Sequence, residues 1–126
     1  MHGNFIVDYT MANNEIITKR LREALSDHPK VEEKKMFGRL AFMVNGKMCL
    51  TVGPKKIMCR IDPELHQTAI SKNGCRTVIM GGRKYKGFVY VDEKVISTKK
   101  ELFYWVNLAL EFNKKATTTP KKIRSK

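Results

Sequence analysis

The dipeptide Asn45-Gly46 constrains this chain more than any other feature. It separates Arg39 to Val44 from Lys47 to Val52, two runs of strand-forming length, and Asn-Gly suits the positive φ angles of a two-residue type I′ turn. The two runs therefore read as a β-hairpin. In that register Met43 faces Met48, Ala41 faces Leu50 and Phe42 faces Cys49, so both faces of the pair are largely apolar. Such a hairpin should be covered on both sides, by helices on one and by another element or a partner on the other. Gly53-Pro54 then turns the chain into a third strand, Lys56 to Ile61.

Helical periodicity flanks these strands. Asn13 or Asn14 can cap a helix whose apolar positions Ile17, Leu21, Ala24 and Leu25 share one face, and His28-Pro29 ends it. Asp62-Pro63 opens a second, short helix that Lys72-Asn73-Gly74 closes. Thr77 to Met80 reads as a weak strand and Gly87 to Asp92 as a clear one. The capping box Thr98-Lys99-Lys100-Glu101 starts a last helix with Leu102, Trp105, Ala109 and Phe112 on one side. Tight turns between strands predict an α+β fold, a single antiparallel sheet with flanking helices in the order α-β-β-β-α-(β)-β-α. Residues 1–12 read as an N-terminal extension, 13–113 as the domain and 114–126 as a basic, disordered tail.

Charge limits the partners. The chain carries 25 Lys and Arg against 12 Asp and Glu, a formal charge of +13, which favours polyanions. Six of those cations, Lys114, Lys115, Lys121, Lys122, Arg124 and Lys126, lie in the tail, which has no acidic residue and is the first candidate for nucleic-acid contact. No apolar run approaches the ~18 residues that span a bilayer, and the N-terminus lacks the pattern of a secretory signal, so a cytoplasmic protein is expected. Three cysteines, Cys49, Cys59 and Cys75, without a C-x-x-C pair, and three scattered histidines predict reduced thiols, no metal and no cofactor.

The sequence contains no G-x-S-x-G, H-E-x-x-H, P-loop or dinucleotide-binding motif, and no catalytic residues are assigned. Glu32 and Glu33 are neighbours that point opposite ways on an extended chain, so they read as a solvated stretch balanced by Lys34 and Lys35 and not as an acid–base pair. A three-residue loop Gly53-Pro54-Lys55 would set Cys49 opposite Cys59, but buried structural cysteines are the simpler reading. Lys86-Gly87-Phe88-Val89-Tyr90-Val91 partly matches an RNA-recognition signature, yet three successive strands between helices is the wrong element order for that fold. Phe88 and Tyr90 nonetheless share a strand face on which bases could stack, although a sheet face filled by aromatics is the plainer reading.

The block Val31-Glu32-Glu33-Lys34-Lys35-Met36-Phe37-Gly38, followed by Leu40 to Met48, closely resembles the N-terminal domain of the TfoX (Sxy) family. Lys86 to Asp92 and Trp105-Val106 look like its later landmarks, and the resemblance runs from about residue 12 to 113. It implies a bacterial regulator of natural transformation competence, acting with the cyclic-AMP receptor protein at promoters. Full-length members carry a second helical domain after this one, and 14 residues follow Phe112, so a stand-alone N-terminal domain is expected. Gly38-Arg39 stands where members often have Gly-Gly. The resemblance supplies no catalytic residue and leaves the roles of Glu32, Glu33, Lys34, Lys35, Met36, Phe37 and Gly38 open. The expected function is thus a non-catalytic regulatory or adaptor domain that binds a protein or protein–nucleic acid partner. A sequence-independent nucleic-acid binder and a small-ligand-binding domain or enzyme are the alternatives.

Overall fold

A computed structural model describes residues 15–36 and 38–117 of the chain. Six strands, β1 (Val31–Met36), β2 (Arg39–Val44), β3 (Lys47–Gly53), β4 (Lys56–Arg60), β5 (Cys75–Met80) and β6 (Arg83–Asp92), form one antiparallel sheet in the order β1-β2-β3-β4-β6-β5. Residues 15–24 are helical (α1), α2 (His66–Ile70) follows a 3-10 turn at Pro63–Leu65, and α3 (Lys99–Asn113) ends the fold. The α+β class expected from the turns is what the chain adopts. The expected Asn cap of α1 lies outside the described residues.

The termini of the later helices follow their local chemistry. The Asp62 side chain accepts from the Glu64 N–H ahead of α2 with Pro63 in the first position. Thr98 and Glu101 form a reciprocal capping box at α3. Ile17, Leu21 and Leu25 from α1 and its last turn, Ala69 from α2, and Leu102, Trp105, Val106 and Ala109 from α3 are buried in one cluster. They meet Phe42, Val44, Leu50, Val52, Ile57, Cys59, Ile61, Val89 and Val91 of the sheet and the chain beside it. Strand side chains alternate between faces, so the residues in between must point the other way. Met48, Met58, Val78 and Phe88 form a second buried cluster there, with Met43, Met80, Tyr85 and Tyr90 packed at its margin. No helix residue contributes to that second cluster among the described residues.

Four sequence expectations need correction. First, the Glu32 to Lys35 stretch is exposed as expected, but it belongs to an edge strand, β1, that the expected element order lacks and that pairs along all of β2. Second, Met43 does pair with Met48, but a bulge follows, so Phe42 faces Leu50 and Ala41 faces Thr51. Cys49 is the extra residue, and it joins Leu50 in the helix-side core. Third, the β3–β4 turn holds two residues, Pro54 and Lys55, because Lys55 takes the positive φ of 69° that closes it. Gly53 then pairs with Lys56, and Cys59 faces Leu50 instead of Cys49. Fourth, the weak strand expected over Thr77 to Met80 is a full strand beginning at Cys75, and its partner β6 is longer than the expected Gly87 to Asp92.

The β5–β6 ladder is irregular between Thr77 and Val78, and His66 braces the gap. Its Nδ1 accepts from the Gly87 N–H at 2.9 Å while Nε2 lies 2.9 Å from the Thr77 hydroxyl. An Nδ1 that accepts must be unprotonated, and burial, reinforced by the Lys86 charge, holds the His66 pKa below its ordinary value. Between the folded and the ordinary value the unfolded chain binds a proton that the folded chain does not. Stability is then complete above the unfolded value of ~6.5 and declines as pH falls through it. We expect thermal melts to show this decline from about pH 7 to 5.5 in the wild type and to lose it in His66→Gln; an unchanged slope in the variant would refute the brace. Asn45 and Gly46 have φ of 56° and 75°, as a type I′ turn requires. Gly46→Val should therefore cost about 1–3 kcal/mol of stability, and an unaltered melting temperature would contradict the turn.

Candidate functional site

The sheet face opposite the helices carries an arrangement of charge that no single stretch of sequence reveals. Tyr90 stands on β6, half-buried, between Met58 of β4 and Arg76 of β5 as its cross-strand neighbours. Three cations from three other strands gather over its ring: Lys56 Nζ lies 4.5 Å from the centroid, Arg39 Cζ 5.4 Å and Arg76 Cζ 5.6 Å. Among the described residues none of the three forms a salt bridge with a carboxylate. The ring's negative face attracts each of them, by about 0.5–1 kcal/mol where solvent reaches. That attraction works against the mutual repulsion of three like charges.

Arg39 reaches Tyr90 from β2, two strands beyond β4, by lying across Gly53. A Cβ at Gly53 would sit 3.3 Å from Arg39 Cγ and 3.4 Å from its Nε, so the missing side chain is the space through which the arginine passes. Gly53 is the last residue of β3 and pairs with Lys56 across the turn. Sequence reasoning places Phe88 and Tyr90 together on one face, and that holds, since Phe88 and Tyr90 both belong to the second cluster. It misses Arg39, Lys56 and Arg76 as a group. The available signal is the pleat: Lys56, Met58 and Arg60 alternate with Ile57 and Cys59, whose place in the core decides the face.

At the Phe88 end of this face Arg60 is buried, with its guanidinium 5.5 Å from the Phe88 ring and 5.6 Å from that of Phe112. It donates to the Thr117 carbonyl at 3.0 Å, and its Nε has no partner among the described residues. Burial lowers its pKa. Lys47 donates to the carbonyls of Asn113 and Ala116, at 2.6 and 3.0 Å, and Lys115 pairs with Asp62 at 3.1 Å. The segment leaving α3 is thus held as far as Thr117, beside the open face. Of the tail cations, Lys114 pairs with Glu111 and Lys115 with Asp62. Lys121, Lys122, Arg124 and Lys126 lie outside the described residues.

The motif carrying the family resemblance divides between the two faces. Glu33 points to the helices and accepts two hydrogen bonds from Arg22 of α1, at 2.6 and 2.8 Å, which holds its carboxyl below the usual range. Lys35 shares that side by alternation, while Glu32, Lys34 and Met36 share the side of Tyr90. Gly38 turns the chain into β2 with φ of 75°, and Phe37 lies outside the described residues. A run of charged residues on an edge strand also discourages pairing with further chains.

The three cysteines are free and buried. Burial pushes Cys49 up to about 12 and Cys75 up to about 11, and raises Cys59 well above its ordinary value. Thiolates, the reactive form, are therefore scarce near neutral pH. We expect a thiol reagent at about pH 8 to modify no cysteine of the folded chain quickly and all three after denaturation. Rapid modification of one under native conditions would overturn this. No group of three or more metal-ligating side chains is clustered among the described residues. No described helix is long and apolar enough to cross a membrane.

No curated protein and no solved structure gives a significant match to the chain. The family model described as "TfoX N-terminal domain" matches residues 23–113, from the end of α1 to the last residue of α3, and so includes all six strands and every residue gathered around Tyr90. The chain accordingly belongs to the TfoX N-terminal domain family.

Proposed function

We propose that this chain is a regulatory or adaptor domain without chemistry of its own, acting in the cytoplasm, and that it holds an acidic protein or protein–nucleic acid partner on the open sheet face. The family membership supports a role of this kind, in the manner of the competence regulators that the family includes. The observation that carries the docking surface is the set of three cations, Arg39, Lys56 and Arg76, on one tyrosine with no carboxylate of their own among the described residues. Anionic groups from a partner would relieve their mutual repulsion at little desolvation cost, because Arg76 is exposed and the other two are half-exposed. The adjoining methionines, Met43 and Met80, give a partner an adaptable apolar margin.

The basic tail has a second part in this reading. Its cations would add affinity for a polyanion without reading base sequence, since phosphate contacts release counterions whatever the bases are. Thr117 leaves the domain beside Arg60, so the tail begins at the margin of the same face.

The test is differential capture from the source cytosol, with and without nuclease, using the full chain, a face variant (Lys56→Glu with Arg76→Glu) and a helix-side variant (Lys19→Glu with Lys100→Glu). We expect the wild type and the helix-side variant to retain the same partner and the face variant to lose it at least tenfold. Equal capture by both variants would refute the docking surface.

A further inference from the structure

The chemistry of the open face goes further than its charge. Cations there do not stand on a polar surface but alternate with rings and thioethers. Lys56, Met58 and Arg60 follow one another on β4, with Tyr90 and Phe88 beside the last two on β6. Tyr85 packs edge-on against Phe88, with centroids 6.4 Å apart, and remains half-buried, as do Tyr90, Met43 and Met80. Arg76 and Lys34 are exposed on the same face. Glu32 is the carboxylate that alternation places with them on β1, and Asp92, opposite Lys56, already accepts from the Lys94 N–H. The face therefore offers positive charge and unsaturated apolar area within a few ångströms of each other.

Three kinds of acidic macromolecule present different surfaces to it. A duplex shows phosphates and sugars while its base faces are stacked away, which would leave Tyr85, Tyr90 and the methionines pressed against a polar backbone. An acidic peptide supplies carboxylates but few flat rings. A single strand supplies both phosphates and free base faces, and grooves that combine cations with aromatic platforms are how such strands are held. We propose that the open sheet face is a binding site for single-stranded nucleic acid, with Arg39, Lys56 and Arg76 turning from the Tyr90 ring to phosphate oxygens, and the ring of Tyr85, together with the Tyr90 ring they vacate, receiving bases. The Tyr90 hydroxyl, which has no hydrogen-bond partner among the described residues, adds a donor to this face. This inference rests on the docking face proposed above and names its ligand.

Fluorescence anisotropy of the full chain tests it, with labelled twelve-nucleotide oligo-dT and oligo-rU, a duplex of equal length, and polyglutamate as competitor. Single strands should bind at least tenfold more tightly than duplex, and polyglutamate should compete poorly. Tyr90→Leu, which keeps an apolar side chain but removes the ring, should weaken single-strand binding roughly 5- to 100-fold. Arg76→Gln should flatten the dependence of log K on log salt by about 0.7, the effect of removing one phosphate ion pair from a single strand. Because Arg76 is exposed, that variant folds whatever Tyr90→Leu does. Basic tail residues favour the more highly charged duplex, so a preference for single strands has to come from the face. Duplex binding as tight as single-strand binding, or no effect of either substitution, overturns the proposal. If the ligand assignment alone is wrong, the face variants still lose their captured partner; if the docking face is wrong, no polyanion is sensitive to them.

Discussion

Two adjacent strands, β4 and β6, set the arrangement on which the rest depends. Ile57, Cys59 and Ile61 alternate with Lys56, Met58 and Arg60, and Val89 and Val91 alternate with Phe88 and Tyr90. Burying the first set against α1 and α3 releases free energy of about 25 cal/mol per Å² of apolar surface removed from water. Because a pleated strand has a period of two, that burial sends the second set to the opposite side. Slipping β4 by one residue would place Lys56 and Arg60 under the helices, and slipping β6 would do the same to Phe88 and Tyr90. Core packing therefore positions the cations and rings of the open face.

Charge is then distributed according to which face it occupies. On the helix side Glu33 of β1 is satisfied by Arg22 of α1, joining the edge strand to the first helix. Arg60, the buried exception, lies between Phe88 and Phe112 and donates to the Thr117 carbonyl, which ties the end of α3 to the sheet. Around Tyr90 the cations meet a ring in place of a carboxylate. Aromatic rings hold cations weakly enough to release them to a stronger anion, whereas a carboxylate would compete with a partner for them. The empty space over Gly53 belongs to the same arrangement, because through it β2 contributes a cation to a ring three strands away.

Much of the scaffold is legible in the sequence. Asn45-Gly46 marks its turn because only a few residues accept two successive positive φ angles, and the helices announce themselves by spacing and caps. Three things are hidden. Strand β1 has no apolar alternation, since its four central residues are exposed on both faces at the sheet edge and are free to be Glu-Glu-Lys-Lys. The register after the hairpin depends on Lys55, a residue with no special tolerance for positive φ that nevertheless adopts it, and on a bulge at Cys49 that no local pattern announces. Arg39 and Arg76 are far apart in the chain, and their meeting at Tyr90 is a product of strand order β2-β3-β4-β6-β5. Tyr90 and Phe88 can be paired from alternation alone; their cations cannot.

The open-face site is tested most directly by an NMR titration of the full chain with oligo-dT, following backbone amides together with the Arg and Lys side-chain resonances. The largest shifts should fall on Arg39, Lys56, Arg76, Tyr85 and Tyr90, with little change at Arg22, Leu102 or Trp105 on the helix side. Shifts centred on α1 or α3, or confined to residues after Thr117, would contradict the placement of the site on this face.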